Sequence, residues 1–208
     1  MTRSISIFVV DDDEAVRESL VLLLETSGHR VAAYASGEAF LAALKPDADG
    51  CLLVDVRMPG IGGLEVQEEL GRRGSAVPAI IMTGHADVPL AVRAMRAGAA
   101  DFIEKPFTDE TILASIERAL RQGEARRQDR ARNAEVLAHV ERLTEREREV
   151  LDELVAGHPN KVIAHHLSIS PRTVEIHRAR VMEKMQARNL SELVRMALAA
   201  GLGAPAGK

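Results

Sequence analysis

Apolar residues in the first 120 positions alternate between short solid runs and stripes at helical spacing. The runs are ISIFVV at 5–10, RVAAY at 30–34, CLLVD at 51–55, AIIMT at 79–83 and DFIE at 101–104. Runs of this length bounded by turn chemistry predict strands, and uniform apolarity predicts burial on both faces. Between them fall the stripes. Val16, Leu20, Leu23 and Leu24 mark a helix over 14–27 stopped by Gly28, and Ala39, Phe40, Ala43 and Leu44 mark one capped by Ser36. A third helix, around Leu64–Leu70, is entered at Gly62-Gly63 and closed by Gly71 and Gly74. A fourth spans Val88–Ala97, and a fifth is capped by Thr108 and carries Ile112, Leu113, Ile116 and Leu120. Strict strand–helix alternation, five times over, predicts an α/β fold: a (βα)5 doubly wound parallel sheet.

The pattern changes after residue 122. Residues 123–142 are heavily charged and poor in apolar positions, with Gly123 a breaker, and read as a charged linker of helical character. Beyond it the chain is all helical. Thr144 and Glu147 form a capping box before Val150, Leu151, Leu154 and Val155. NKVIAHHL at 160–167 is a short helix, Ser170-Pro171 opens a third, and Leu190, Leu193, Val194, Ala197 and Leu198 stripe a fourth. The expected division is 1–122, linker 123–142, and a small four-helix domain over 143–203.

Charge sharpens this division. The chain has 208 residues and a formal net charge of −4, yet residues 1–124 hold 12 basic against 20 acidic residues and residues 125–208 hold 15 against 11. A basic second domain points to a polyanionic partner. No apolar run approaches the roughly 18 residues of a membrane span. The lone cysteine, Cys51, has no intramolecular partner, and a cytoplasmic protein without membrane association is expected.

A parallel sheet brings the carboxyl ends of its strands to one edge, where ligands collect. Asp11 and Asp12 follow the first strand, Asp55 ends the third, Thr83 the fourth, and Lys105 follows the fifth. Clustered carboxylates repel unless a cation joins them, and an all-oxygen site suits Mg2+ or Mn2+. A hydroxyl and an ammonium alongside are what the equatorial oxygens of a transferred phosphoryl group require.

These residues carry a resemblance. DDD after the first strand, DVRMPG after the third, MTG after the fourth and EKPF after the fifth resemble a response-regulator receiver domain. The resemblance implies that Asp55 accepts phosphate from a histidine kinase. Asp12 would ligate the metal directly, Asp11 through water, and Arg57 through its backbone carbonyl. Lys105 would pair with a phosphoryl oxygen, and Thr83 with the aromatic Phe102 would form the switch. The Lys105-Pro106 bond would be cis, and Gly84 would leave the phosphoryl group accessible. In relatives, the surface of the fourth helix and fifth strand forms the dimer of the phosphorylated state.

LTEREREVLDELVAG and NKVIAHHLSISPRTVEIHRARVMEKM resemble the LuxR-type helix-turn-helix. On the third helix of this domain, Val174, Val181 and Met185 are expected inward and Arg172, Glu175, Ile176 and Ala179 outward, the face that enters the major groove. Glu175 could accept from a cytosine amino group, and Ile176 or Ala179 could meet a thymine methyl. Lys161, Arg172, Thr173, Arg178, Arg180 and Lys184 are expected on phosphates. His165, His166 and His177 have no cysteine or acidic partner at ligand spacing, and no metal is expected there.

Together the halves resemble the FixJ subfamily of two-component regulators. That implies an activator, not an enzyme, which dimerises on phosphorylation, binds promoter DNA and engages RNA polymerase, with nitrogen-fixation or microaerobic genes as targets. The alternatives weighed against it are a Mg2+-dependent phosphotransferase or phosphatase-like enzyme, and a receiver acting as a phosphate sink.

Overall fold

The computed structural model describes residues 6–85 and 87–202. The chain divides between Arg127 and Gln128 into two compact units.

In the first unit, strands β1 (Ser6–Val10), β2 (Arg30–Tyr34), β3 (Gly50–Asp55), β4 (Ala79–Thr83) and β5 (Asp101–Glu104) pair in parallel in the order β2-β1-β3-β4-β5. Helices α1 (Glu14–Thr26), α2 (Gly37–Ala43), α3 (Gly63–Arg72), α4 (Val88–Arg96) and α5 (Asp109–Glu141) connect or follow them. β3 is central, and all six of its residues are buried. Its side chains alternate between two layers. Leu52 and Val54 join Val10, Phe40, Leu64, Val66, Leu70, Ile81 and Ala94, from the side of α2, α3 and α4. Cys51 and Leu53 join Ile7, Val9, Leu20, Leu24, Ile80, Met82, Ile112 and Ile116, from the side of α1 and α5. Covering both faces removes the need for polar positions, which explains why these strands read as continuous apolar runs. Full burial contributes about 1.5–3 kcal/mol for each large aliphatic side chain.

The helix starts follow local chemistry. Asp13 caps α1 by accepting from the N–H groups of Ala15 and Val16, Ser36 caps α2, and Asp87 caps α4. Two glycines differ from the sequence expectation. Gly71 lies inside α3, and the chain turns instead at Gly74, with φ +61°. Gly123 does not break α5, which is continuous from Asp109 to Glu141. A Cβ at Gly123 would stand 2.9 Å from Cδ of Pro78. The glycine is there to let helix and strand-leading loop approach, not to end the helix.

The second unit contains the end of α5 and helices α6 (Glu145–Val155), α7 (Asn160–His166), α8 (Pro171–Lys184) and α9 (Leu190–Ala199). Val136 and Val140 from α5 are buried with Val150, Leu151, Leu154, Ile163, Val174, Val181, Met185, Leu193 and Ala197. The capping box of Thr144 and Glu147 is formed, and Ser170 caps α8 with Pro171 in its first turn. The α9 stripe is narrower than expected: Leu193 and Ala197 are buried, whereas Leu190 and Leu198 are exposed.

Candidate functional site

The strand order reverses between β1 and β3, so the carboxyl ends of these two strands flank a crevice. Register carries Val10 level with Val54, which sets Asp11 and Asp55 side by side past the last rungs. Both are buried, while Asp12 is exposed. Lys105, immediately after β5, reaches between them. Its Nζ lies 2.6 Å from Asp11 Oδ2 and 2.6 Å from Asp55 Oδ1. The second oxygen of each carboxylate accepts a backbone N–H, from Asp13 at 3.0 Å and from Arg57 at 2.7 Å. The Lys105-Pro106 peptide bond is cis.

Burial penalises charge here. It raises the Asp11 carboxyl above the ordinary aspartate range, against the opposing pull of Lys105. Burial also works against the Lys105 ammonium, but its hydrogen bonds to Asp11 and Asp55 outweigh it and hold the lysine above its ordinary value. Lys105 is therefore a fixed positive charge at neutral pH. One ammonium against two carboxylates leaves the crevice net negative and lined by hard oxygen donors, while the exposed Asp12 is not gathered with Asp11 and Asp55 into a set of three ligand atoms within 4.8 Å. Such a donor set fits a small divalent cation.

The surrounding backbone is held closely. Val56 N–H donates to Met82 O at 2.8 Å, and Ile61 N–H donates to the Glu38 carboxylate at 2.9 Å. A Cβ on Gly63 would stand 2.5 Å from Asp55 O, so glycine lets the start of α3 meet the end of β3. Arg17 adds a contact that no sequence motif signalled: its guanidinium donates to Asp11 O at 2.8 Å. Only an i+6 spacing from the acidic strand end hints at it.

Thr83 is buried at the tip of β4, and its hydroxyl is 3.2 Å from both the N and the O of His85. Phe102 lies opposite Ile81, two residues back, and packs half-buried on the same layer as Ile81. Parallel register puts Thr83 and Phe102 side chains on one face of the sheet.

In the second unit, Val174, Val181 and Met185 are fully buried, as the periodicity predicts. Arg172, Glu175, Ile176, Ala179 and Arg180 form an exposed face on α8, and Lys161 is exposed on α7. Ser168, between these helices, has φ +55°. Three of the expected phosphate contacts have intramolecular partners. The Thr173 hydroxyl meets Ser170 Oγ at 2.8 Å, and the Arg178 guanidinium donates to Asn160 Oδ1 at 3.3 Å. Lys184 requires a correction: its Nζ is 2.6 Å from Glu147 Oε2 and 3.1 Å from Arg142 O. It neutralises a buried carboxylate and is committed to the fold. Burial would raise the Glu147 carboxyl, but Lys184 and the Thr144 N–H hold it down at about 2.

The histidine expectation is also corrected. An acidic partner exists, Glu153, whose Oε2 lies 2.7 Å from His158 Nδ1 and 2.9 Å from His166 Nδ1. Spacing along the chain hid it, because the three residues come from α6, the following loop and α7.

An acidic crevice on a five-stranded parallel sheet, bridged by a lysine and joined to a helix-turn-helix, defines a two-component response regulator. Residues 7–117 match the response regulator receiver domain, and residues 141–197 match the bacterial regulatory proteins of the luxR family. The transcriptional regulatory protein FixJ of Azorhizobium caulinodans is 56% identical over 99% of this chain and 97% of its own length. FixJ of Rhizobium meliloti is 50% identical, over 95% of this chain and 97% of its own. Among solved structures, full-length FixJ from B. japonicum aligns with a TM-score of 0.57 at 49% identity, covering 97% of this chain and 98% of that one. The response regulator StyR aligns at 0.73 with 39% identity, covering 94% and 98%. The chain belongs to the response-regulator family, as a FixJ-type regulator with a receiver domain and a LuxR-type DNA-binding domain.

Proposed function

We propose that Asp55 is the phosphoacceptor and that its phosphorylation by a histidine kinase switches the second domain on. The observation that carries this reading is Lys105, held 2.6 Å from both Asp11 and Asp55. An Asp55 carboxylate oxygen attacks phosphorus, a P–O bond forms, and the P–N bond of the donor phosphohistidine breaks, leaving imidazole. The phosphoryl group carries about −1.5 to −2 of charge but replaces the charge of the carboxylate itself, so the crevice gains about one negative charge. Lys105 is placed to leave its carboxylates and meet one equatorial oxygen, and the Thr83 hydroxyl to meet another. Asp11, Asp12, Asp55 and the Arg57 carbonyl would hold Mg2+ or Mn2+, which supplies neutralisation of the phosphoryl charge. A Cβ at Gly84 would meet no protein atom within 4 Å, so the fold does not require glycine there, and its role in this reading is access for the phosphoryl group.

Turning Thr83 inward removes it from its contacts with His85, and Phe102, on the same face, follows into the space behind it. This is the two-state element that phosphate biases. In our reading it releases a module over 143–203, tied by a charged helical linker over 123–142 to a receiver over 1–122, and promotes a homodimer. Arg172, Glu175, Ile176 and Ala179 read base edges. Lys161, Thr173, Arg178 and Arg180 position the backbone. Lys184 is not retained in this set. The partners are promoter DNA and RNA polymerase, the location is cytoplasmic, and the targets are nitrogen-fixation or microaerobic genes, in keeping with its FixJ relatives. The relatives are transcriptional regulators, which favours this reading over a phosphatase-like enzyme or a phosphate sink.

The test is phosphoryl transfer from acetyl phosphate with Mg2+, followed by sizing and promoter binding. Wild type should gain a single acid-labile phosphate, dimerise and bind. An Asp55→Asn chain that dimerises and binds to the same extent would overturn the proposal.

A further inference from the structure

Glu153, His158 and His166 are the one group of three potential metal ligands, among the described residues, whose ligand atoms all lie within 4.8 Å of one another. Glu153 sits near the end of α6, His158 in the connection, and His166 at the last position of α7. The two imidazoles stand edge to face, centroids 5.1 Å apart, and both point Nδ1 at the same Glu153 oxygen. Burial works against the Glu153 charge, but the two histidines outweigh it and hold the carboxyl below its ordinary range. It is a carboxylate at neutral pH. The rings are 39% and 42% exposed, so a metal ion can reach them.

The geometry points to a Zn2+-type site, in which Glu153, His158 and His166 bind one divalent transition metal and staple α6 to α7. Two imidazoles and a carboxylate, with water completing a tetrahedron, are a donor set that zinc takes and Mg2+ does not. Zinc–ligand bonds of about 2.0–2.2 Å at tetrahedral angles set ligand atoms roughly 3.4 Å apart. The present separations of 2.7 and 2.9 Å are those of hydrogen bonds, so each pair opens by about half an ångström as the metal replaces the shared hydrogen. Half-exposed side chains can make that adjustment. The ion is not the one expected between Asp11 and Asp55, because its ligands lie in the other unit and are nitrogenous. α7 packs on α8 in the same core, so the staple fastens the support of the exposed α8 face.

The experiment uses the full-length chain without an affinity tag, in excess Mg2+ to saturate the oxygen-only crevice. Co2+ and Zn2+ are titrated, read by the visible Co2+ spectrum, calorimetry and the melting of the second unit. Wild type should take one Co2+ per chain with tetrahedral d–d bands, displaced by Zn2+, and melt at a higher temperature with Zn2+. His158→Gln, His166→Gln and Glu153→Gln should each weaken binding at least tenfold to a hundredfold, while His165→Gln should not. Helical circular dichroism checks that each variant is folded. No stoichiometric uptake by wild type, or equal uptake by the His158→Gln/His166→Gln double variant, overturns the site.

Discussion

Replacing Lys105 by methionine removes the ammonium that stands between Asp11 and Asp55 and keeps most of the side-chain volume. Because each carboxylate oxygen is 2.6 Å from Nζ, the two lie no further than about 5 Å apart. At an effective dielectric near 20, unit charges at that distance repel by about 3 kcal/mol, a repulsion that the ammonium outweighs in wild type and that the variant leaves uncompensated. The Lys105 side chain is 20% exposed, so water takes up part of the loss, and a deficit of about 2 kcal/mol in unfolding free energy is expected at neutral pH without Mg2+. The deficit has a sign in pH. Burial already raises the Asp11 carboxyl, and the substitution raises it further. A carboxyl whose folded pKa lies above its unfolded one costs stability at neutral pH and returns it as pH falls through the folded value. Urea unfolding of the first unit should therefore show a full deficit at about pH 7.5 that shrinks toward about pH 5. Excess Mg2+ should restore part of it by binding the folded state alone. A deficit of equal size at both pH values, or a variant as stable as wild type without metal, refutes this account.

Gly123→Ala should lower the melting temperature of the first unit. The gain of about 1 kcal/mol in helix propensity is offset by overpacking of about 1–3 kcal/mol against the rigid Pro78 ring, 2.9 Å from the new Cβ. Glu147→Gln should flatten the acid limb of the second unit. Its carboxyl is held at about 2, so its contribution is present above the ordinary glutamate range and lost as pH falls through about 2. Chemical denaturation across that range should show about 1–2 kcal/mol at neutral pH, discounted for solvent near Lys184. Thr83→Ala should accept phosphate yet fail to gain promoter affinity, at a stability cost of about 0.5–1.5 kcal/mol for the buried hydroxyl's lost contacts with His85; normal activation would remove Thr83 from the switch. Arg180→Ala should weaken all DNA sequences alike and reduce the salt slope by about 1, whereas Glu175→Gln should change sequence preference; competition binding separates the two.

The strands were legible because burial on both faces leaves a plain apolar signature, and the crevice because parallel strands deliver their ends to one edge. Asp11, Asp55 and Lys105 could be brought together on topology alone. What stayed hidden depends on side-chain reach between elements. Gly123 carries the same letter whether it ends a helix or accommodates Pro78. Lys184 looked like one more base on a basic helix, because Glu147 is 37 residues away and was already assigned to a cap. Glu153 belonged to one helix and His166 to the next, and only the turn through His158 makes them neighbours.

The Glu147 carboxylate joins two things: the N-cap of α6, through the Thr144 N–H, and the last residue of α8, through Lys184. The residues that fix α8 in place are thus separate from the residues it exposes. Arg172, Glu175, Ile176 and Ala179 could be exchanged for those of another regulator, leaving Val174, Val181, Lys184 and Glu147 untouched. The helix is in effect a cartridge with its own socket, and its operator preference is open to transplantation without redesign of the core.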